Sequence, residues 1–102
     1  MAWKIRISAS ANKDIKDIKK WYKEKSFQTL ENFTNELIEA IENLKRDTIE
    51  YKTVYGGYKR AFLNKFPYTI YYQRKEKENI IEINAVFHNR RDKDIITKRF
   101  EE

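Results

Sequence analysis

At 102 residues the chain has material for one domain with a modest core, and not for two. Its 40% hydrophobic and 15% aromatic content is enough to fold it although 37% of it is charged, and its net charge of +6 favours polyanions or an acidic protein as partners. The lack of cysteine excludes disulfides and thiolate metal sites, and one histidine cannot build a histidine-rich zinc site, so neither a metal nor a cofactor is expected.

In chain order, Trp3, Ile5 and Ile7 alternate with Lys4, Arg6 and Ser8, the period of a strand with one buried face. No apolar run is long enough for a signal peptide or a membrane span, so the expectation is a cytoplasmic protein without membrane contact. Ser8 or Ser10 can cap a helix in which Ala11, Ile15, Ile18 and Tyr22 form an apolar stripe opposite Lys13, Lys16, Lys19, Lys20 and Lys23. That helix should end near Lys25, because Ser26 is a fresh cap and a second stripe follows through Leu30, Phe33, Leu37, Ala40 or Ile41, and Leu44. So short a link predicts an antiparallel helical hairpin whose seam lies on the strands. From Phe27 to Leu44 the only charges are Glu31, Glu36, Glu39 and Glu42, which leaves the remainder at +10.

From Lys45 to Gly57 the periodicity weakens to a loop, with a short extended piece around Tyr51 to Tyr55 and a turn at Gly56-Gly57. Lys59 to Lys65 reads as a strand, with Ala61 and Leu63 on one face and Arg60, Phe62 and Asn64 on the other, broken by Phe66-Pro67. Tyr68 to Gln73 is the next strand, the run RKEKEN is a hairpin tip, and Ile80 to Phe87 closes the sheet. Strict alternation there sends Ile81, Ile83, Ala85 and Phe87 to the core and Glu82, Asn84, Val86 and His88 to the opposite face. Asp92 to Phe100 is a last short helix or tail, and Trp3, Trp21 and Phe33 are assigned to the core.

Arg60, the strand FPYTIYY from Phe66 to Tyr72, and AVFHNRRD from Ala85 to Asp92, preceded by strand, helix and helix, resemble the RelE/ParE toxin superfamily of bacterial type II toxin-antitoxin systems. The resemblance covers nearly the whole chain, residues 1–102 as one domain. It implies an α+β fold with an N-terminal strand, an antiparallel helical hairpin, a three-stranded antiparallel sheet continuing the first strand, and a short C-terminal helix or tail. It also implies a toxin neutralised by a cognate antitoxin in a hetero-oligomer, with roles in growth inhibition and plasmid stabilization.

Two targets are compatible with that resemblance. RelE-like members are ribosome-dependent endonucleases acting on mRNA, and ParE-like members inhibit DNA gyrase. Metal-independent cleavage of RNA needs a base, an acid and cations around the phosphorus; on that reading Arg60 and His88 are catalytic. The strand from Tyr68 to Tyr72 carries no basic residue before Arg74, and His-x-Arg-Arg-Asp followed by a basic tail looks more like the ParE branch. On that reading Lys65, Arg90, Arg91, Lys98 and Arg99 bind target or phosphate and the chain is not an enzyme. A third possibility is a basic nucleic-acid or protein-binding module without toxicity. Plainer readings stand beside these: His88 as a solvated strand end, Arg60 as an ion-pair partner of Glu82, Arg90 and Arg91 as a solvated pair, and the tyrosines as packing residues.

Overall fold

The computed structural model describes residues 3–46, 53–55, 57–91 and 93–101. Strand β1 (Lys4–Ile7) leads into helices α1 (Ala9–Lys25) and α2 (Phe27–Asn43), followed by β2 (Thr53–Tyr55), β3 (Tyr58–Phe62), β4 (Tyr68–Lys75), β5 (Ile80–His88) and α3 (Lys93–Glu101). The expected α+β architecture is present. The sheet has five strands in the order β1-β5-β4-β3-β2; β1 runs parallel to β5, and all other pairs are antiparallel.

Local chemistry sets the boundaries. Ser8 caps α1 by accepting the Ala11 N–H, and Ser26 both ends α1 and caps α2 by accepting the Thr29 N–H. Each serine satisfies a donor that the first helical turn leaves open, a contribution of about 1 kcal/mol. The strand β2 falls within the extended piece expected around Tyr51 to Tyr55, of which Tyr51 and Lys52 lie outside the described residues. Of the expected Gly56-Gly57 turn, Gly57 adopts φ +89, a conformation that favours glycine, and Gly56 lies outside the described residues. The β4–β5 tip is a single 3-10 turn at Glu76–Glu78 closed by Asn79 at φ 54.

The helical hairpin covers one face of the sheet. Its stripe residues Ala11, Ile15, Ile18, Tyr22, Phe33 and Leu37 join Leu44, Ala61, Leu63, Ile70, Tyr72, Ile81, Ile83 and Val86 in the main core. Phe33 is fully buried, worth about 2–3 kcal/mol in apolar transfer, and meets Tyr22, Phe66 and Tyr68 at ring separations of 5.3 to 5.7 Å. A smaller cluster of Tyr71, Ala85 and Phe87, packed against Ile96 and Phe100 of α3, occupies the other face.

That second cluster corrects the alternation expected for β5. The register passes from Tyr71↔Ala85 to Tyr72↔Ile83, so Asn84 is an extra residue on β5, a β-bulge. Ile81 and Ile83 face the hairpin, but past the bulge Ala85 and Phe87 turn to the opposite face, while Val86 enters the main core and His88 follows it. Trp21 is a second correction: it is 52% exposed, because it flanks the α1 stripe beside Tyr22 rather than lying on it.

Candidate functional site

The candidate residues separate into two groups, one on each side of the sheet. On the face under α3, Arg60 stands opposite Tyr71 and stacks over Phe62 with its guanidinium carbon 5.3 Å from the ring centre. Burial pushes the Tyr71 phenol above its ordinary value, against the opposing pull of the Arg60 charge and hydrogen bond. The Phe100 ring stacks on Tyr58 at 4.2 Å and meets Tyr71 at 5.3 Å, holding α3 against this face.

His88 lies on the other side, at the sheet end nearest α1. Its ring meets Tyr68 edge to face at 5.3 Å, and its Nδ1 accepts the Arg90 N–H at 3.1 Å. That bond places the proton of the neutral ring on Nε2. Two strand spacings and three residues of rise separate Arg60 from His88, roughly 14 Å between Cα atoms, and their side chains leave opposite faces of the sheet. The structure does not bring this pair together.

Glu82 does not share the face of His88 and is not a partner of Arg60, because β4 lies between β3 and β5. Instead its carboxylate accepts from Arg6 Nε at 2.8 Å and Asn84 Nδ2 at 3.0 Å, with Lys75 Nζ 3.5 Å away. Burial pushes this carboxyl up, but the Asn84 hydrogen bond and the two cations outweigh it and hold the group below its ordinary value.

Of the expected binding residues, Arg91 and Arg99 converge. Their guanidinium carbons lie 4.9 and 4.7 Å from the centre of the Phe87 ring. Arg99 also donates to both carboxylate oxygens of Asp14 and to the Asn84 carbonyl, whereas Arg90, Arg91 and Lys98 are exposed. Lys65 stands apart in the turn between β3 and β4, where its backbone N–H and that of Asn64 donate to Glu36 Oε1, each at 2.8 Å. That turn and α2 border a groove of about 910 Å³, with Asn32, Asn35, Glu36 and Glu39 on one wall and Phe62 and Phe66 on the other.

Asp14 is the organising residue that the sequence reading missed. Its signal was spacing: at three residues beyond Ala11 and one before Ile15 it falls on the buried side of α1, where a carboxylate requires partners. It finds them in Arg99 and in the Val86 N–H. Among the described residues no group of three or more acidic or histidine side chains is placed to hold a metal ion, and no helix is long and apolar enough to cross a membrane.

A helical hairpin on one face of a mostly antiparallel sheet, with a short C-terminal helix on the other, defines the class of small α+β toxins found in type II toxin-antitoxin systems. Residues 5–93 match the family described as "ParE toxin of type II toxin-antitoxin system, parDE", and the chain belongs to that family. A mutant of the E. coli toxin RelE, solved in the free state, has a similar fold: TM-score 0.59 at 14% identity, covering 100% of this chain and 94% of that one. A search of curated proteins found no match. The chain is thus a toxin of the RelE/ParE superfamily, and a cognate antitoxin is implied as its partner.

Proposed function

We propose that this toxin acts in the manner of ParE, arresting growth by poisoning DNA gyrase in the cytoplasm, contributing to plasmid stabilization, and being neutralised by its antitoxin in a hetero-oligomer. The observation that carries the reading is the separation of Arg60 from His88 on opposite faces of the sheet. Cleavage through a 2′-hydroxyl needs base, acid and cations around one phosphate, and the two residues best suited to such chemistry cannot meet there. The His88 tautomer adds support, since Nε2, the ring nitrogen that Arg90 does not engage, carries the proton of the neutral ring and donates. On this reading Arg90, Arg91 and Lys98 are contacts to the target, Arg99 braces α3, and the chain is not an enzyme.

For the antitoxin, the groove beside α2 is the natural seat of one segment, because its amide and carboxylate wall and exposed Phe62 fit an amphipathic element with basic residues. A second, acidic segment would cover Arg60 or the Arg90-Arg91 turn. An antitoxin that contacts neither the helical hairpin nor the Arg60 to Arg91 surface would overturn this arrangement.

The test is expression of the wild-type chain and of Arg60→Ala, His88→Ala and Arg90→Ala/Arg91→Ala variants in a bacterium without antitoxin. Both mRNA ends and gyrase-linked DNA breaks are mapped. The expected result is DNA breaks with intact mRNA, unchanged in His88→Ala and reduced in the double arginine variant. New mRNA ends within translated reading frames, lost in Arg60→Ala or His88→Ala, would establish the RelE-like endonuclease instead. A chain whose expression does not arrest growth would be a plain binding module.

A further inference from the structure

A second, smaller cleft lies where α1 passes the end of the sheet. Its volume is about 210 Å³, and Asp14, Asp17, Ile18 and Trp21 of α1 face Tyr68, Val86, His88 and Arg91 across it. We propose that this cleft binds a single unpaired guanine base.

Charge selects the ligand class. Asp14 is consumed by Arg99 and the Val86 N–H, so the polar groups left to a ligand are the Asp17 carboxylate, the His88 Nε2–H, the Trp21 indole N–H and the Arg91 guanidinium. A bare anion is opposed by Asp17 and a bare cation by Arg91. A neutral, planar ligand with donors along one edge and acceptors along another is opposed by neither. Guanine is such a ligand: its adjacent N1–H and N2–H groups suit a carboxylate, and its O6 and N7 accept from a guanidinium or imidazole N–H. Adenine has an acceptor at N1 and sets a lone pair against Asp17.

Stacking supplies the remaining attraction. Trp21 is 52% exposed even with Lys25 Nζ 5.2 Å from its ring centre, so a large π surface is available to a base. Arg91 stacks over Phe87, which fixes its plane and leaves the N–H edges for hydrogen bonds. The volume has room for one base and not for a run of them. The proposal does not depend on whether gyrase or mRNA is the target, and its test uses the toxin alone.

The experiment titrates the ¹⁵N-labelled full chain with guanosine 5′-monophosphate, adenosine 5′-monophosphate and inorganic phosphate, following the Trp21 indole N–H and the amides of residues 88–91. Guanosine monophosphate should shift these signals saturably, adenosine monophosphate should bind about tenfold more weakly, the order expected for one lost edge contact, and inorganic phosphate should leave them in place. Asp17→Asn and Trp21→Ala should each weaken guanosine monophosphate about tenfold, and Lys23→Ala should not. All three altered residues are exposed, so the fold is retained, which the unchanged signals of β4 and β5 verify. A short single-stranded oligonucleotide with one central guanine, binding more tightly than the mononucleotide, would assign the base to a strand; equal binding would assign it to a free nucleotide. The proposal is overturned by any of three results: no saturable shift, equal binding of the two nucleotides, or an Asp17→Asn variant that binds like the wild type.

Discussion

The Arg99 guanidinium grips both carboxylate oxygens of Asp14, at 2.9 and 3.0 Å, and so fastens the C-terminal helix to the first helix across the end of the sheet. The Asp14 side chain is only 9% exposed and Arg99 23%, so water screens this pair weakly. Asp14→Ala removes the ion pair and also strands the Val86 N–H; the expected loss is about 2–4 kcal/mol by urea unfolding. Asp14→Asn keeps an acceptor for Val86 and should cost less. Hydrogen exchange should show α3 losing protection first in both variants, and equal protection of α3 in wild type and Asp14→Ala would contradict this role.

Glu82 predicts a specific acid response. Its folded carboxyl lies below the ordinary value of 4.5, so it stabilises the protein above that pH, and the contribution is lost as pH falls through the lowered value. The stability difference between wild type and Glu82→Gln should therefore be largest near neutrality and shrink toward pH 3. A difference that stays constant across this range would mean that Arg6, Lys75 and Asn84 do not act on the charge.

Tyr22 predicts the alkaline counterpart. Burial and the neighbouring Tyr68 push its phenol from 10.0 up to about 12. Folding favours the protonated form, so its stabilising contribution is complete below pH 10 and is lost as pH rises through the folded value. Absorbance titration at the phenolate band should show a tyrosine that ionises near pH 12 and is absent in Tyr22→Phe, beside Tyr71, which burial also raises. Ionisation of every tyrosine near 10 in the folded protein would contradict the packing seen around Tyr22.

Deleting Asn84 tests the bulge. Without it, Ala85 would follow Ile83 directly, and strict alternation would keep Ala85 and Phe87 toward α3 and Val86 in the main core, so the bulge would close into a regular strand. The deletion should therefore keep the near-ultraviolet dichroism of the folded protein, and its loss would contradict the assignment of Asn84 as the extra residue. Asn84→Gly, which preserves the residue count, should fold with a loss of about 1–2 kcal/mol from the missing Glu82 hydrogen bond and the added backbone freedom.

The helical hairpin was legible because its signals are local: Ser8 and Ser26 cap helices by contacts three residues ahead, and the stripes of Ala11 to Tyr22 and Leu30 to Leu44 repeat with the helical period. The order of the later strands was legible from the proline break and the charged tip at residues 74–79. The candidate site was less so. Arg91 and Arg99 were named from sequence among five basic binding residues, but their shared support on Phe87 arises only because the bulge turns Phe87 outward. Trp21 was assigned to the core on its hydrophobicity, although its position beside the stripe leaves it half exposed.

The sequence by itself determined the class of fold, the cap and stripe of each hairpin helix, and membership of a toxin superfamily, because periodicity, caps and short motifs are written within a few residues of one another. Only the tertiary structure decided which residues meet. It placed β1 beside β5 at a separation of some 76 residues, paired Arg99 with Asp14 across 85, and put Arg60 and His88 on opposite faces of the sheet. The physical reason lies in one residue: a strand alternates with period two, and the extra Asn84 inverts the face of everything beyond it, a change that the sequence pattern does not reveal and the strand register does.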